Sequence, residues 1–160
     1  MADAQRPPNT GSTGNTDGTD NIDTAIRYHR AVARGALGEE LAGFFHDTAV
    51  HREYPNAFLP DGAVRDLTAI LKAGEQGANL LSRQTFDVLN AVAAGDQVAL
   101  EVTWTGVLAV PLGDLPAGQV LRAHIATFLQ FRDGRIVEQH NYDCYERTDA
   151  VREDDPPEGP

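Results

Sequence analysis

Apolar side chains recur at Ile22, Ala25, Ile26, Val32 and Ala33, the stripe of an amphipathic helix, and Gly35 and Gly38 close it. A short second helix is expected over Glu39 to His46. The stretch AVHREY, Ala49 to Tyr54, predicts a strand stopped by Pro55-Asn56. In LPDGAVRDLTAILKAGEQGANLL, Val64, Leu67, Leu71, Ala78 and Leu81 mark one face of a third helix, with Asp61 placed as its N-cap. After Ser82 the period changes to two. RQTFDVLNAVAAGDQVALEVTWTGVLAV gives two strands about Ala94-Gly95-Asp96, and a Gly- and Pro-rich loop from Pro111 to Gly118 leads to another pair. Helix, helix, strand, helix and a four-strand meander make an α+β fold, with helices on one face of a curved, mostly antiparallel sheet. No internal repeat is visible.

The last pair, RAHIATFLQFRDGRIVEQHNYDCYE, turns at Asp133-Gly134, a strong signal for a type I′ hairpin. With Arg132 facing Arg135, His124 lies opposite Asp143, Ala126 opposite Asn141 and Phe128 opposite Gln139. On the reverse face Ile125 meets Tyr142, Thr127 meets His140 and Phe131 meets Ile136. One face is then apolar and the other polar. A polar face turned to solvent is common in antiparallel sheets, and a one-residue bulge would separate His124 from Asp143.

Composition changes this picture mainly at the ends. Residues 1–21 and 147–160 hold too little apolar surface to offset ordering entropy, so both are expected to be disordered tails around one domain at 22–146. The charge of −11 divides into −3 for residues 1–23, −4 for 146–160 and −4 for the remainder. Without a basic stripe the domain is a poor candidate for nucleic acid or anionic membranes. Cys144 is the single cysteine, which excludes an intrachain disulfide and a CxxC metal site. His51, His124 and Asp143 are too few and scattered to predict a metal, and GDLPAG fits no nucleotide-binding spacing. No leader or membrane-length apolar run is read, so the expected location is the cytoplasm.

The run TWTG…PLGDLPAGQVLRAHIATFLQFRDGRIVEQHNYD resembles the SnoaL-like polyketide cyclases of the nuclear transport factor 2-like superfamily. IRYHRAVARG is similar to the first helix of ketosteroid isomerases, and FFHDTAVH to the superfamily's helix–turn–strand junction. The resemblance, over about residues 22–146, implies a cystatin-type cone. Three N-terminal helices would pack on a curved mixed sheet enclosing a pocket, and the sheet's reverse face often builds a homodimer. Here that face would use Ile125, Thr127, Leu129, His140 and Tyr142.

The same resemblance makes Asp143 the general base, aided by His124 as donor or proton carrier, with Tyr28 on the oxyanion-hole tyrosine. Asp143 would otherwise cap the sheet's end or pair with Arg122. The isomerase base position falls on Arg52, which cannot act as a base, and strand alternation would aim Glu53 at the other face. The second oxyanion acid falls near Ala126 or Thr127, so a ketosteroid isomerase is not expected. Arg52, Tyr54, Trp104, Phe128 and Asn141 would line the substrate cavity, with His29 and His51 as polar lining or core. The implied activity needs no cofactor or metal. It is cyclase- or isomerase-type acid/base chemistry next to a carbonyl of a hydrophobic polyketide- or steroid-like molecule. A non-catalytic small-molecule binder and an epoxide hydrolase-like enzyme are the alternatives on this fold.

Overall fold

The period-two runs of the second half form four long strands whose inward side chains supply most of the core. In the computed structural model, which describes residues 18–148, these are β3 (Leu81–Ala94), β4 (Gln97–Leu108), β5 (Val120–Arg132) and β6 (Arg135–Tyr145). Before them come α1 (Gly18–Ala33), α2 (Gly38–Ala42), β1 (Phe45–Glu53), β2 (Ala63–Asp66) and α3 (Leu67–Leu80). The sheet order is β2-β1-β6-β5-β4-β3, with β1 parallel to β6 and the other neighbours antiparallel. The expected α+β cone, three helices on a mixed and mostly antiparallel sheet, is the observed architecture. Val98, Leu100 and Val102 of β4 meet Ile125 and Leu129 of β5, and Ala25, Tyr28, Leu41 and Ile70 close the core from the helices. Fully burying each large aliphatic side chain favours folding by roughly 1.5–3 kcal/mol. No helix among the described residues is long and apolar enough to cross a membrane.

Four local expectations are corrected. Residues 18–21, placed in the disordered tail, form the first turn of α1, and Asn21 is buried. The rest of that tail, and residues 149–160 of the other, lie outside the described residues. Helix α2 ends at Ala42, and Phe44 joins the sheet by accepting from the Ile136 amide at 2.9 Å, so β1 begins at Phe45. Val64 belongs to β2, not α3. Gly62 at φ +64 turns the chain back onto β1, and an added Cβ there would lie 2.6 Å from the Glu53 carbonyl. The N-cap of α3 is therefore Asp66, whose Oδ1 accepts from the Ala69 amide at 2.9 Å, rather than Asp61.

The fourth correction concerns the last hairpin. Asp133 and Gly134 both have positive φ, and Arg132 faces Arg135 as the turn requires. Beyond Phe131↔Ile136 the register slips by one, leaving Val137 as an extra residue on β6. Ile136 and Val137 are consecutive and both buried, which strict alternation cannot satisfy. After the slip His124 faces Cys144, Ile125 faces Asp143 and Thr127 faces Asn141. The inward side of β5 is consequently Leu121, Ala123, Ile125, Thr127 and Leu129, all buried. Three residues assigned to a dimer interface, Ile125, Thr127 and Leu129, are core, and His124, Ala126 and Phe128 are exposed on the outer face.

Candidate active site

Parallel pairing of β1 with β6 sets Glu53 beside Asn141 and His51 beside Gln139. Ala49, His51 and Glu53 turn inward while Val50 and Arg52 are exposed. On β6 the inward residues are Gln139, Asn141, Asp143 and Tyr145. The two strands thus bring the carboxyl groups of Glu53 and Asp143 together. Glu53 is held from two sides: Arg65 donates to one oxygen at 2.9 Å and Asn56 Nδ2 to the other at 2.9 Å. Asn56 in turn accepts from the amides of Phe58 and Leu59, fixing the loop after β1.

Burial, then the charge of the adjacent Glu53 carboxylate, pushes the Asp143 carboxyl up to about 7. Its Oδ1 is buried without a partner among the described residues, as is His51 Nε2. Burial and the Arg65 cation push His51 down to about 4, so its ring is neutral at ordinary pH. Burial also raises Tyr145, with Asp143 and Glu53 adding to the effect. A polar chain runs from helix to sheet. The Tyr28 hydroxyl donates to Gln139 Oε1 at 3.1 Å, and Gln139 Nε2 donates to Asn141 Oδ1 at 3.0 Å. Thr127 Oγ1 donates to the same Asn141 oxygen at 3.2 Å. Burial pushes Tyr28 up to about 12, so it remains a protonated donor.

Aromatic rings gather on Tyr145, which lies beside the carboxyl pair. Phe58 and Trp104 both approach Tyr145 edge-on, at centroid distances of 4.6 and 6.0 Å. The indole is pinned by Nε1 donating to Gln84 Oε1 at 3.0 Å and lies against Gly106, where an added Cβ would overlap the ring. Gly106→Ala is therefore expected to cost about 1–3 kcal/mol of stability and to shift Trp104 fluorescence, read by urea unfolding. An unchanged midpoint and spectrum would count against this packing.

Of the residues singled out in the sequence, Asp143, Tyr28, Asn141 and Trp104 share the inner face. Arg52, Tyr54, Phe128 and His124 do not. Tyr54 stacks on Tyr142 at 4.3 Å outside the sheet, Phe128 stands edge-on to Tyr142, and His124 lies 3.5 Å from Glu146. The His124–Asp143 pair is thus dissolved by the bulge, which puts them on opposite faces. Glu53, which alternation was expected to aim at the other face, turns inward, and Arg65 is the residue that sequence reasoning missed. The shared parity of Ala49, His51 and Glu53 was the available signal, but Val50 and Arg52 offered an equally plausible face. Among the described residues no group of three His, Cys, Asp or Glu side chains is arranged to hold a metal ion.

Helices on a six-stranded mixed sheet with a half-buried carboxyl on the last strand define a cone-fold domain of the nuclear transport factor 2-like class. The profile of the SnoaL-like domain matches residues 25–139, and the chain belongs to that family. Among solved structures, IdmH of Streptomyces antibioticus, described as a candidate polyketide cyclase, is 26% identical with a TM-score of 0.65, covering 77% of this chain and 91% of its own. AclR of Streptomyces galilaeus, described as a candidate hydroxylase, is 22% identical with a TM-score of 0.67, over 80% and 81% of the two chains. A protein of Catenulispora acidiphila with a ketosteroid isomerase-like fold, in complex with trimethylamine, is 17% identical with a TM-score of 0.57, over 75% and 84%. No curated protein sequence matches the chain.

Proposed function

We propose that the protein is a cofactor-independent cyclase- or isomerase-type enzyme. It would move a proton at a carbon next to a carbonyl of a hydrophobic, polyketide- or steroid-like molecule held on the inner face. The observation that carries this reading is the half-buried Asp143 carboxyl, raised to about 7 beside Glu53, with its buried Oδ1 unpartnered among the described residues. A base of that strength is ionised in a useful fraction near neutral pH, and stronger than an ordinary carboxylate. Such a base suits carbon acids flanked by two carbonyl groups. Asn141 Nδ2, which has no partner among the described residues, supplies a donor for the enolate oxygen, and the Tyr28–Gln139 chain holds the Asn141 amide in place. The IdmH likeness supports a polyketide-like substrate.

The reading is tested by incubating an aromatic 1,3-dicarbonyl compound with the protein in heavy water and following deuterium uptake between the carbonyls by NMR. Exchange faster than with Asp143→Asn is expected; equal rates would remove the proposal.

Among the described residues the outer face carries no helix and exposes Val50, Val64, Phe128 and Tyr142. We infer that a second copy covers it, since an apolar patch of this kind marks an interface. Phe128→Glu should convert a dimer to a monomer in light scattering without loss of folding. A wild-type monomer at micromolar concentration would refute the pairing. The exposed Cys144 thiol fits a reducing compartment, the cytoplasm.

A further inference from the structure

Away from the carboxyl pair, a cleft of about 510 Å³ lies between α1 and β3. Strand β3 is the sheet's edge, and its pairing skips from Val88↔Val102 to Asn90↔Glu101, leaving Leu89 as a bulged residue with 61% of its surface exposed. A bulge bends its strand, and here the bulged segment Val88 to Asn90 forms part of the groove wall. Three strand spacings, about 14 Å, separate β3 from β6 in the sheet. Asp143, Glu53, Tyr28 and Trp104 take no part in the lining.

The cleft combines apolar and polar walls. Ile26, Phe86, Val88 and Ala91 provide apolar wall. His29, only 5% exposed, also lines it. Nδ1 of His29 donates to the Ala25 carbonyl at 2.8 Å, because a carbonyl can only accept. Burial lowers the ring's pKa and keeps it neutral, so Nε2 is a bare acceptor. That nitrogen has no hydrogen-bond partner among the described residues. Edge contacts with Tyr28 at 4.9 Å and Phe86 at 5.3 Å fix the ring. At the rim stand Arg30 and Asp87, both exposed and neither in an ion pair among the described residues.

We propose that this cleft is a second ligand site, for a small aromatic acid that carries a hydroxyl group and a single negative charge. The unpartnered acceptor requires a donor on the ligand, and the apolar wall suits a flat ring. Arg30 pairs with the carboxylate. Asp87 opposes a second negative charge. The site is independent of the reaction proposed at Asp143.

The test uses the full chain and 4-hydroxybenzoate, with benzoate as the control that lacks the donor. Saturable binding is expected by calorimetry, with NMR amide shifts centred on Arg30, Leu89 and Asn90. Benzoate should bind about three- to tenfold more weakly, the worth of one hydrogen bond. Arg30→Ala, an exposed change that leaves the fold intact, should weaken 4-hydroxybenzoate about tenfold. Asp143→Asn should bind it as the wild type does. Absence of saturable binding, indifference to Arg30→Ala, or loss of binding in Asp143→Asn would each overturn the proposal.

Discussion

Asp143→Asn is expected to slow turnover by at least about a hundredfold, the usual scale for loss of a general base, while ligand affinity stays nearly unchanged. The amide keeps the shape of the carboxyl but has no basic electron pair. In the wild type, kcat/KM should rise with pH through a midpoint near 7 and then level, since Asp143 must be ionised to accept a proton. Glu53→Gln removes the neighbouring negative charge, so the midpoint should fall while the plateau drops with the weaker base. A merely structural Glu53 would alter stability and leave the midpoint where it was. Undiminished turnover in Asp143→Asn would end the mechanism.

The same carboxyl should be visible in the pH dependence of stability. Asp143 has its folded pKa raised from 3.8 to about 7. Its stabilising contribution is complete below 3.8 and is lost as pH rises toward 7. His51 runs the other way. Its folded pKa is lowered from 6.5 to about 4, so its contribution is present above 6.5 and is lost as pH falls toward 4. Between these limits the two slopes oppose one another, and the wild type should show a shallow profile. Asp143→Asn should expose the histidine slope, with stability rising from about pH 4 to 6.5. Above pH 7 it should exceed the wild type by on the order of 2–4 kcal/mol, from about 1.4 kcal/mol per pKa unit discounted for partial exposure. His51→Gln should show the reverse slope. Urea unfolding across this range decides the matter, and parallel profiles for wild type and both variants would refute it.

Much of this fold was legible because its signals are local. The Asp133-Gly134 turn needs two positive φ values, and the alternation of β4 and β5 follows directly from one-sided burial. Asp143 was legible as an inward carboxyl on the last strand. What failed was parity. A bulge one pair away from a correctly identified turn reverses every facing assignment beyond it, and its cue, the adjacent apolar residues Ile136-Val137, resembles ordinary strand composition. Glu53 was assigned to the wrong face for a related reason. Its direction depends on the parallel contact with β6, which no neighbouring residue encodes.

That parallel contact also bears on how the chain is made. β6 is the last strand in sequence and sits between β1 and β5. The sheet therefore stays divided until the final strand inserts. Glu53 and Asp143, about 90 residues apart in the chain, meet only at that insertion. Contacts of such long range slow folding, so the carboxyl pair should be among the last features to form. A nascent chain that ends before β6 leaves β1 and β5 as open edges in addition to β2 and β3, and has no carboxyl pair. In refolding experiments, protection of β4 and β5 amides against exchange should precede the perturbed titration of Asp143.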